Sequence, residues 1–378
     1  MKSAVKILVA GDFCPKDRVS PLLENPLCET LHNVMPIIKQ SDLAIVNLEC
    51  PLVSSKNALP IVKEGPNLKS VPAAAKILKK NGFSLTTLAN NHIMDYGSKG
   101  LVDTLDTLKK EGLDYVGVGE NLRNSSLPYY YTKNGTKIGI VNCCEHEFSI
   151  ATETSAGANP LNPIHQWYAI KDAKCNADYV IVIIHGGHEH YSLPSPRMQE
   201  TYRFFIDAGA DAVINHHQHC YSGYEIYKEK PIFYGLGNFC FDWNGKRDSK
   251  WNYGYMVELQ MGTTIDFTIY PYEQCNATPD VCLLEGVRKT LIEEDIVRLN
   301  RIIQSPEQLK VEHEKWMLAD ERNWLISLLP VTNRYVKALI QRQYLPLKFR
   351  KNKISLWFNR IACEAHRDKL LYILSKQL

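Results

Sequence analysis

Short β-branched runs recur through the first 240 residues, and one after another they end on a side chain able to hold a metal. Val9-Ala-Gly-Asp12 delivers a carboxylate, and Ile45-Val-Asn-Leu-Glu49 delivers another. Thr87-Leu-Ala-Asn-Asn-His92 gives an amide at Asn91 followed by an imidazole. Tyr179-Val-Ile-Val-Ile-Ile184 leads into His185-Gly-Gly-His188-Glu189-His190, and Asp211-Ala-Val-Ile-Asn215 into His216-His217-Gln218-His219. Six of the twelve histidines thus fall between positions 185 and 219. Each residue alone has an ordinary use: Asp12 could cap a helix, Asn91 make a turn, Glu49 sit in a surface ion pair. Together they offer carboxylate or amide oxygens and imidazoles at strand ends, where α/β proteins assemble sites. That mixed N/O shell suits two divalent transition metals such as Mn, Zn or Fe. A pair of metals sharing one bridging carboxylate performs in-line displacement at phosphorus.

The runs at Val5–Ala10, Leu43–Asn47, Leu85–Ala89, Tyr115–Val118, Lys137–Asn142, Tyr179–Ile184, Ala212–Asn215 and Pro231–Tyr234 predict strands. Pro72–Asn81 and Ser98–Glu111 predict helices, the second ending before Gly112. Alternating strand and helix implies an α/β fold with helices covering the sheet. Tyr255–Gln260 and Thr264–Tyr270 predict a closing hairpin. From about Leu283 the pattern turns helical over Leu291–Gln304, Pro306–Trp324 and Ile354–Leu378, and Thr290 with Glu293 has capping-box spacing. We therefore expect a main domain over 1–275 and a helical, basic extension over 276–378. Residues 342–378 hold nine Lys or Arg against two acidic residues. Such a segment reads as a solvated helical cap, with peripheral contact to an anionic surface or polymer as the functional alternative.

A net charge of +3 is too small to argue for a nucleic-acid partner. The opening Met1 to Asp12 has only a short apolar run, without the h-region and cleavage site of a signal peptide. No stretch reaches the roughly 18 apolar residues of a transmembrane segment. Eleven cysteines without regular spacing fit reduced thiols. The expectation is a cytoplasmic protein.

The motifs resemble, in order, those of the bacterial capsule-synthesis family of the CapA or poly-γ-glutamate type, a branch of the calcineurin-like metallophosphoesterase superfamily. The matching stretches are Gly11-Asp12, Asn47-Leu-Glu49, Ala89-Asn-Asn-His92-x-x-Asp95-x-Gly97 and His185-Gly-x-x-Glu189. Gly209-Ala-Asp211-x-x-Ile-x-His-His-x-His219 and Tyr234-Gly-Leu-Gly-Asn-Phe239 complete them. The resemblance covers residues 4 to about 242 and implies a four-layer αββα metallophosphatase-like sandwich. It implies that Asp12, Glu49 and His219 hold one metal and that Glu49 bridges to a second held by Asn91, His185 and His217. His92 would be the general acid or transition-state donor, with Asp95 orienting its ring or capping a helix. Cys14 stands where the superfamily usually has histidine; it would ligate as a thiolate or pack as a small buried thiol. Glu189 would support the site or face substrate. The implied activity is dinuclear, metal-dependent hydrolysis of the phosphoesterase type in capsule or surface-polymer biosynthesis, on a small-molecule or polymer substrate, anionic or not. A non-hydrolytic part in polymer synthesis or export, and amide hydrolysis, are the alternatives. Trp167, Tyr191, Trp243 and Trp251 are candidates for stacking on a sugar or polymer.

Overall fold

Val5–Phe13 is buried along nearly its whole length, as a strand covered on both faces must be. The computed structural model describes residues 4–25, 28–54, 57–329, 331 and 333–376. Up to residue 119 the strands are β1 (Val5–Phe13), β2 (Leu43–Leu48), β3 (Leu85–Thr87), β4 (Asp114–Val116) and β5 (Val118–Gly119). The next seven are β6 (Tyr129–Lys133), β7 (Thr136–Cys144), β8 (Gly157–Ala158), β9 (Tyr179–His185), β10 (Ala212–His216), β11 (Tyr224–Tyr227) and β12 (Lys230–Phe233). The last are β13 (Asn238–Cys240), β14 (Tyr253–Met261), β15 (Ile265–Gln274) and β16 (Val281–Leu283).

One large sheet runs β16-β15-β14-β1-β2-β3-β4, with β13 also on β1; the other runs β11-β12-β10-β9-β7-β6, and β5 pairs with β8 as a small third sheet. β1 to β4 are parallel, and so are β12, β10, β9 and β7, while the hairpin β14–β15 is antiparallel. Helices α1 (Met35–Gln40), α2 (Ala73–Lys80) and α3 (Gly97–Glu111) belong to the first half. Leu8, Ala10, Ala44 and Val46 share a core with Ala74, Ile77, Leu78 and Leu108 from α2 and α3. After the short α4 (Leu122–Ser125), α5 (Pro163–Asn176) and α6 (Pro196–Ala208) pack on β7, β9, β10 and β12. The result is a helix–sheet–sheet–helix α/β sandwich, as the sequence implies. Asn162 and Ser195 start α5 and α6, accepting backbone N–H bonds just ahead of Pro163 and Pro196.

Four local expectations change. The run Tyr115–Val118 is two strands broken at Gly117, whose φ is 96°. A Cβ there would lie 2.0 Å from Asn142 Oδ1, so only glycine fits the turn. The helix expected at Leu291 begins earlier, as α7 (Gly286–Ile303), and Thr290 bonds the Gly286 carbonyl within it instead of capping it. Pro306–Trp324 divides into α8 (Pro306–Ala319) and α9 (Glu321–Ser327). The final helical stretch divides at Cys363, and its expected last residues, 377 and 378, lie outside the described residues.

By its contacts the chain forms two compact units, Met1–Lys310 and Val311–Leu378. In the first, α7 buries Ile296, Leu299 and Ile303 and reaches β11 and β15. Gln199 Nε2 donates to the Ile303 carbonyl and Tyr224 N to Asn300 Oδ1. The second unit holds α9, α10 (Arg334–Gln341), α11 (Lys351–Ala362) and α12 (Glu364–Ser375). Neither α11 nor α12 buries a residue. Among the described residues no helix is long and apolar enough to cross a membrane.

Candidate metal centre

The carboxyl ends of the parallel strands of both sheets meet. Asp12, next to last in β1, lies beside the second sheet: His217 N donates to its Oδ2 at 3.2 Å. Asn47 Nδ2 donates to Asp12 Oδ1 at 2.7 Å and lies 3.2 Å from His185 Nδ1. A Cβ at Gly11 would lie 1.9 Å from the Gly237 carbonyl, so a glycine lets β1 approach the loop before β13 this closely.

Glu49 sits at the centre. Its Oε1 is 3.6 Å from His185 Nε2 and 3.6 Å from His219 Nε2. Around His185 Nε2 also gather Asn91 Oδ1 and His217 Nδ1, each at 3.1 Å. Ligating atoms of Glu49, His185 and His217 all lie within 4.8 Å of one another, and so do those of Asp12, Glu49 and His219. The two groups share Glu49. His217 and His219 take positive φ values, 89° and 54°, at which non-glycine residues are uncommon. Strain of that kind gathers where a site dictates side-chain direction.

The electrostatics fit a missing positive charge. Both Glu49 carboxylate oxygens are buried without a hydrogen-bond partner. Burial, reinforced by Asp12, holds the Glu49 carboxyl well above the usual range, and burial pushes Asp12 up to about 7. Burial and the neighbouring rings hold His185 and His219 well below the ordinary imidazole value, so both present neutral lone pairs. Buried acids short of partners beside neutral imidazoles are the donor set a divalent cation satisfies.

His92 lies beside this centre, buried, with Nδ1 2.7 Å from Asp95 Oδ2. Asp95 does not cap α3: Tyr96 precedes that helix and no side chain caps it. Lys63 joins the pair, its Nζ 2.5 Å from Asp95 Oδ1 and 3.0 Å from His92 Nδ1, with only 2% of its side chain exposed. Leu68 N also donates to Asp95 Oδ2, at 2.6 Å. With Nδ1 engaged, Nε2 is the His92 nitrogen left for the pocket. Cys14 lies outside both ligand groups, packed in the core beside Cys50. Burial and Cys50 push its thiol well above the ordinary range. Glu189 is exposed at the rim. His216 is buried with Nδ1 3.5 Å from Asp12 Oδ1 and belongs to neither group.

Over the centre opens a pocket of about 280 Å³, lined by Lys63, Asn91, His92, Glu147, Glu189, His190, His219, Trp243, Lys246 and Trp251 among others. Trp251 packs on His219 at a ring-centroid distance of 4.7 Å. Lys16 Nζ lies 4.0 Å from the Trp243 ring centre. Tyr191 is buried, and Trp167 stands edge-on to Tyr168 on α5, away from the pocket lining. Sequence reasoning assigned no part to Asn47, Lys63, Glu147 or Asn238. Asn238 Oδ1 lies 2.9 Å from His219 Nδ1, leaving Nε2 for Glu49's side. Its place in the Gly235-to-Phe239 motif was the available signal; Lys63 and Glu147 have none.

Comparison with known proteins identifies the family of this chain. Residues 6–243 match the model of the bacterial capsule synthesis protein PGA_cap family. The capsule biosynthesis protein CapA of Bacillus anthracis is 37% identical over 226 residues, covering 57% of this chain and 55% of that protein. The match therefore spans little more than half the length of that relative. The PGA biosynthesis protein CapA of Bacillus subtilis (strain 168) is 35% identical over 268 residues, 69% of each chain. Among solved structures, a phosphatase from Mycoplasma pneumoniae aligns with a TM-score of 0.46 and 15% identity, over 73% of this chain and 96% of that one. With its family model matched over residues 6–243, this chain belongs to the bacterial capsule synthesis protein family.

Proposed function

We propose that this chain is a metal-dependent hydrolase of the phosphoesterase type, acting in bacterial surface-polymer synthesis. One observation carries the reading: a single buried Glu49 oxygen stands 3.6 Å from an imidazole nitrogen of each ligand group. Asp12, Glu49 and His219 would hold one cation, and Glu49, Asn91, His185 and His217 the other. Mn, Zn or Fe fits that mixed shell. Two such cations supply charge for phosphoryl oxygens and a nucleophile at neutral pH. The protein's own part is positional. Asp95 fixes the His92 ring through Nδ1, so Nε2 can hold a proton for the leaving oxygen. Lys63 keeps the Asp95 carboxylate in its buried ion pair. Trp243, Trp251 and Lys246 would bound an anionic substrate at the pocket mouth.

Both CapA relatives carry names of biosynthesis, which favours as second reading a binding part in polymer assembly. Metal analysis of the purified protein, with a manganese-supplemented screen of phosphomonoesters, phosphodiesters and glutamyl amides, separates the two. Bound metal with phosphoester turnover supports the hydrolase. Bound metal without turnover of any ester or amide supports the assembly part, and amide turnover alone would move the reaction to carbon.

A further inference from the structure

Between β7 and β8, residues 145–149 touch the site loops of both sheets. Glu145 N donates to the His185 carbonyl, and Glu145 Oε2 accepts from Gly187 N at 3.0 Å. Ser149 Oγ donates to the Asn91 carbonyl at 2.7 Å and accepts from Met94 N. Between these two anchors stands Glu147. Its Oε2 accepts from Asn91 Nδ2 at 3.1 Å, and its Oε1 faces His217 Nε2 at 3.6 Å.

We infer that Glu147 is a positioning residue that turns Asn91 and His217 toward the second cation position. This rests on the metal-centre reading given above. An ionised carboxylate only accepts hydrogen bonds, so Asn91 must present Nδ2 to Glu147 and therefore Oδ1 to His185 Nε2. The opposite amide rotamer would oppose two acceptors and aim an N–H pair at the cation. The same carboxylate favours the neutral His217 tautomer with its proton on Nε2, which leaves the Nδ1 lone pair facing His185. One side chain thus sets two donor atoms through their far ends, the arrangement by which outer carboxylates tune metal ligands. At the other position the outer contacts are amides: Asn238 Oδ1 meets His219 Nδ1 and Asn47 Nδ2 donates to Asp12 Oδ1.

Glu147→Gln tests this at nearly constant shape. Glutamine brings an N–H donor to the same place and permits the wrong rotamer and the wrong tautomer. Its side chain is 36% exposed, so the folded protein should tolerate the change. Mn²⁺ and Zn²⁺, each alone, are titrated calorimetrically into metal-stripped wild type, Glu147→Gln and Glu147→Asp, with metal content read independently. Wild type should bind two equivalents. Glu147→Gln should bind one with unchanged affinity and the other roughly 10–100-fold more weakly, and Glu147→Asp should recover part of the loss. Melting in EDTA should not change. Two equivalents at wild-type affinity in Glu147→Gln, or equal weakening of both, overturns the positioning role while leaving the metal centre intact. A wild type that binds neither ion overturns the metal reading and this role with it. ¹⁵N spectra of the metal-free wild type give a check that no variant can confound: a His217 proton on Nδ1 refutes the inference.

Discussion

Replacing Glu49 with glutamine should reverse the sign of its effect on stability when metal is added. Without metal, the Glu49 carboxyl is buried, lacks a hydrogen-bond partner and resists ionisation. A buried acid whose folded-state pKa is raised above its unfolded-state value destabilises the fold by about 1.4 kcal/mol per unit of that rise once the pH exceeds both values. Because the folded-state value is raised, that cost is absent below the unfolded-state pKa and grows as pH rises above it. Glutamine buries similar polar atoms but never ionises. In EDTA, Glu49→Gln should therefore be more stable than wild type at pH 7.5, by on the order of 1 kcal/mol or more, and close to it near pH 4.5. Saturating Mn²⁺ at about 100 times Kd should stabilise wild type by about 2.7 kcal/mol per site. The variant lacks the shared ligand and should gain little, so the order inverts. Urea unfolding at the two pH values, with EDTA or Mn²⁺, reads all four arms. A variant less stable than wild type in EDTA at pH 7.5 refutes the ionisation penalty at Glu49, and one that gains as much from Mn²⁺ refutes its bridging position.

His92→Ala should keep both metal equivalents and lose roughly 10²–10⁴-fold in turnover, the usual range for general acid–base catalysis; equal kcat in variant and wild type removes the proton from its duties. Cys14→Ser should leave Mn²⁺ affinity unchanged by calorimetry, because the thiol packs beside Cys50 and outside both ligand groups; weakened affinity would return Cys14 to the metal. A chain ended after Lys310 should hold two equivalents by metal analysis. One ended at residue 275 should unfold earlier in urea, because it loses the buried Ile296, Leu299 and Ile303 of α7, each worth about 1.5–3 kcal/mol when fully buried.

The candidate ligands were legible because each follows an apolar run that reads as a strand. Position along a buried strand fixes where the next side chain emerges, so Asp12, Glu49, Asn91, His185, His217 and His219 could be read in order. The supporting residues were not. Lys63 and Glu147 lie in irregular segments, and their partners stand 29 to 70 residues away in the chain, a separation no local pattern encodes. Helix α5 escaped because its apolar residues do not form one stripe: Ile164 and Tyr168 are 68% and 64% exposed. The Asn162-Pro163 and Ser195-Pro196 pairs were usable start signals for α5 and α6. Cys14 could not be decided from spacing, since a strand-end thiol and a ligating thiolate look alike until burial is known.

Strand order in the first sheet has a consequence for synthesis. β1 lies between β2 and β14, although 239 residues separate its end from the start of β14. A nascent chain halted before residue 253 therefore carries β1 with one edge open along Val5 to Val9. Its six proposed ligands have already been made by then, the last at residue 219. Metal could reach them before the sheet around Asp12 is closed, and an exposed central edge invites pairing with other chains. The growing polypeptide passes through an interval in which that edge is open to other chains, and the interval ends when the hairpin β14–β15 docks.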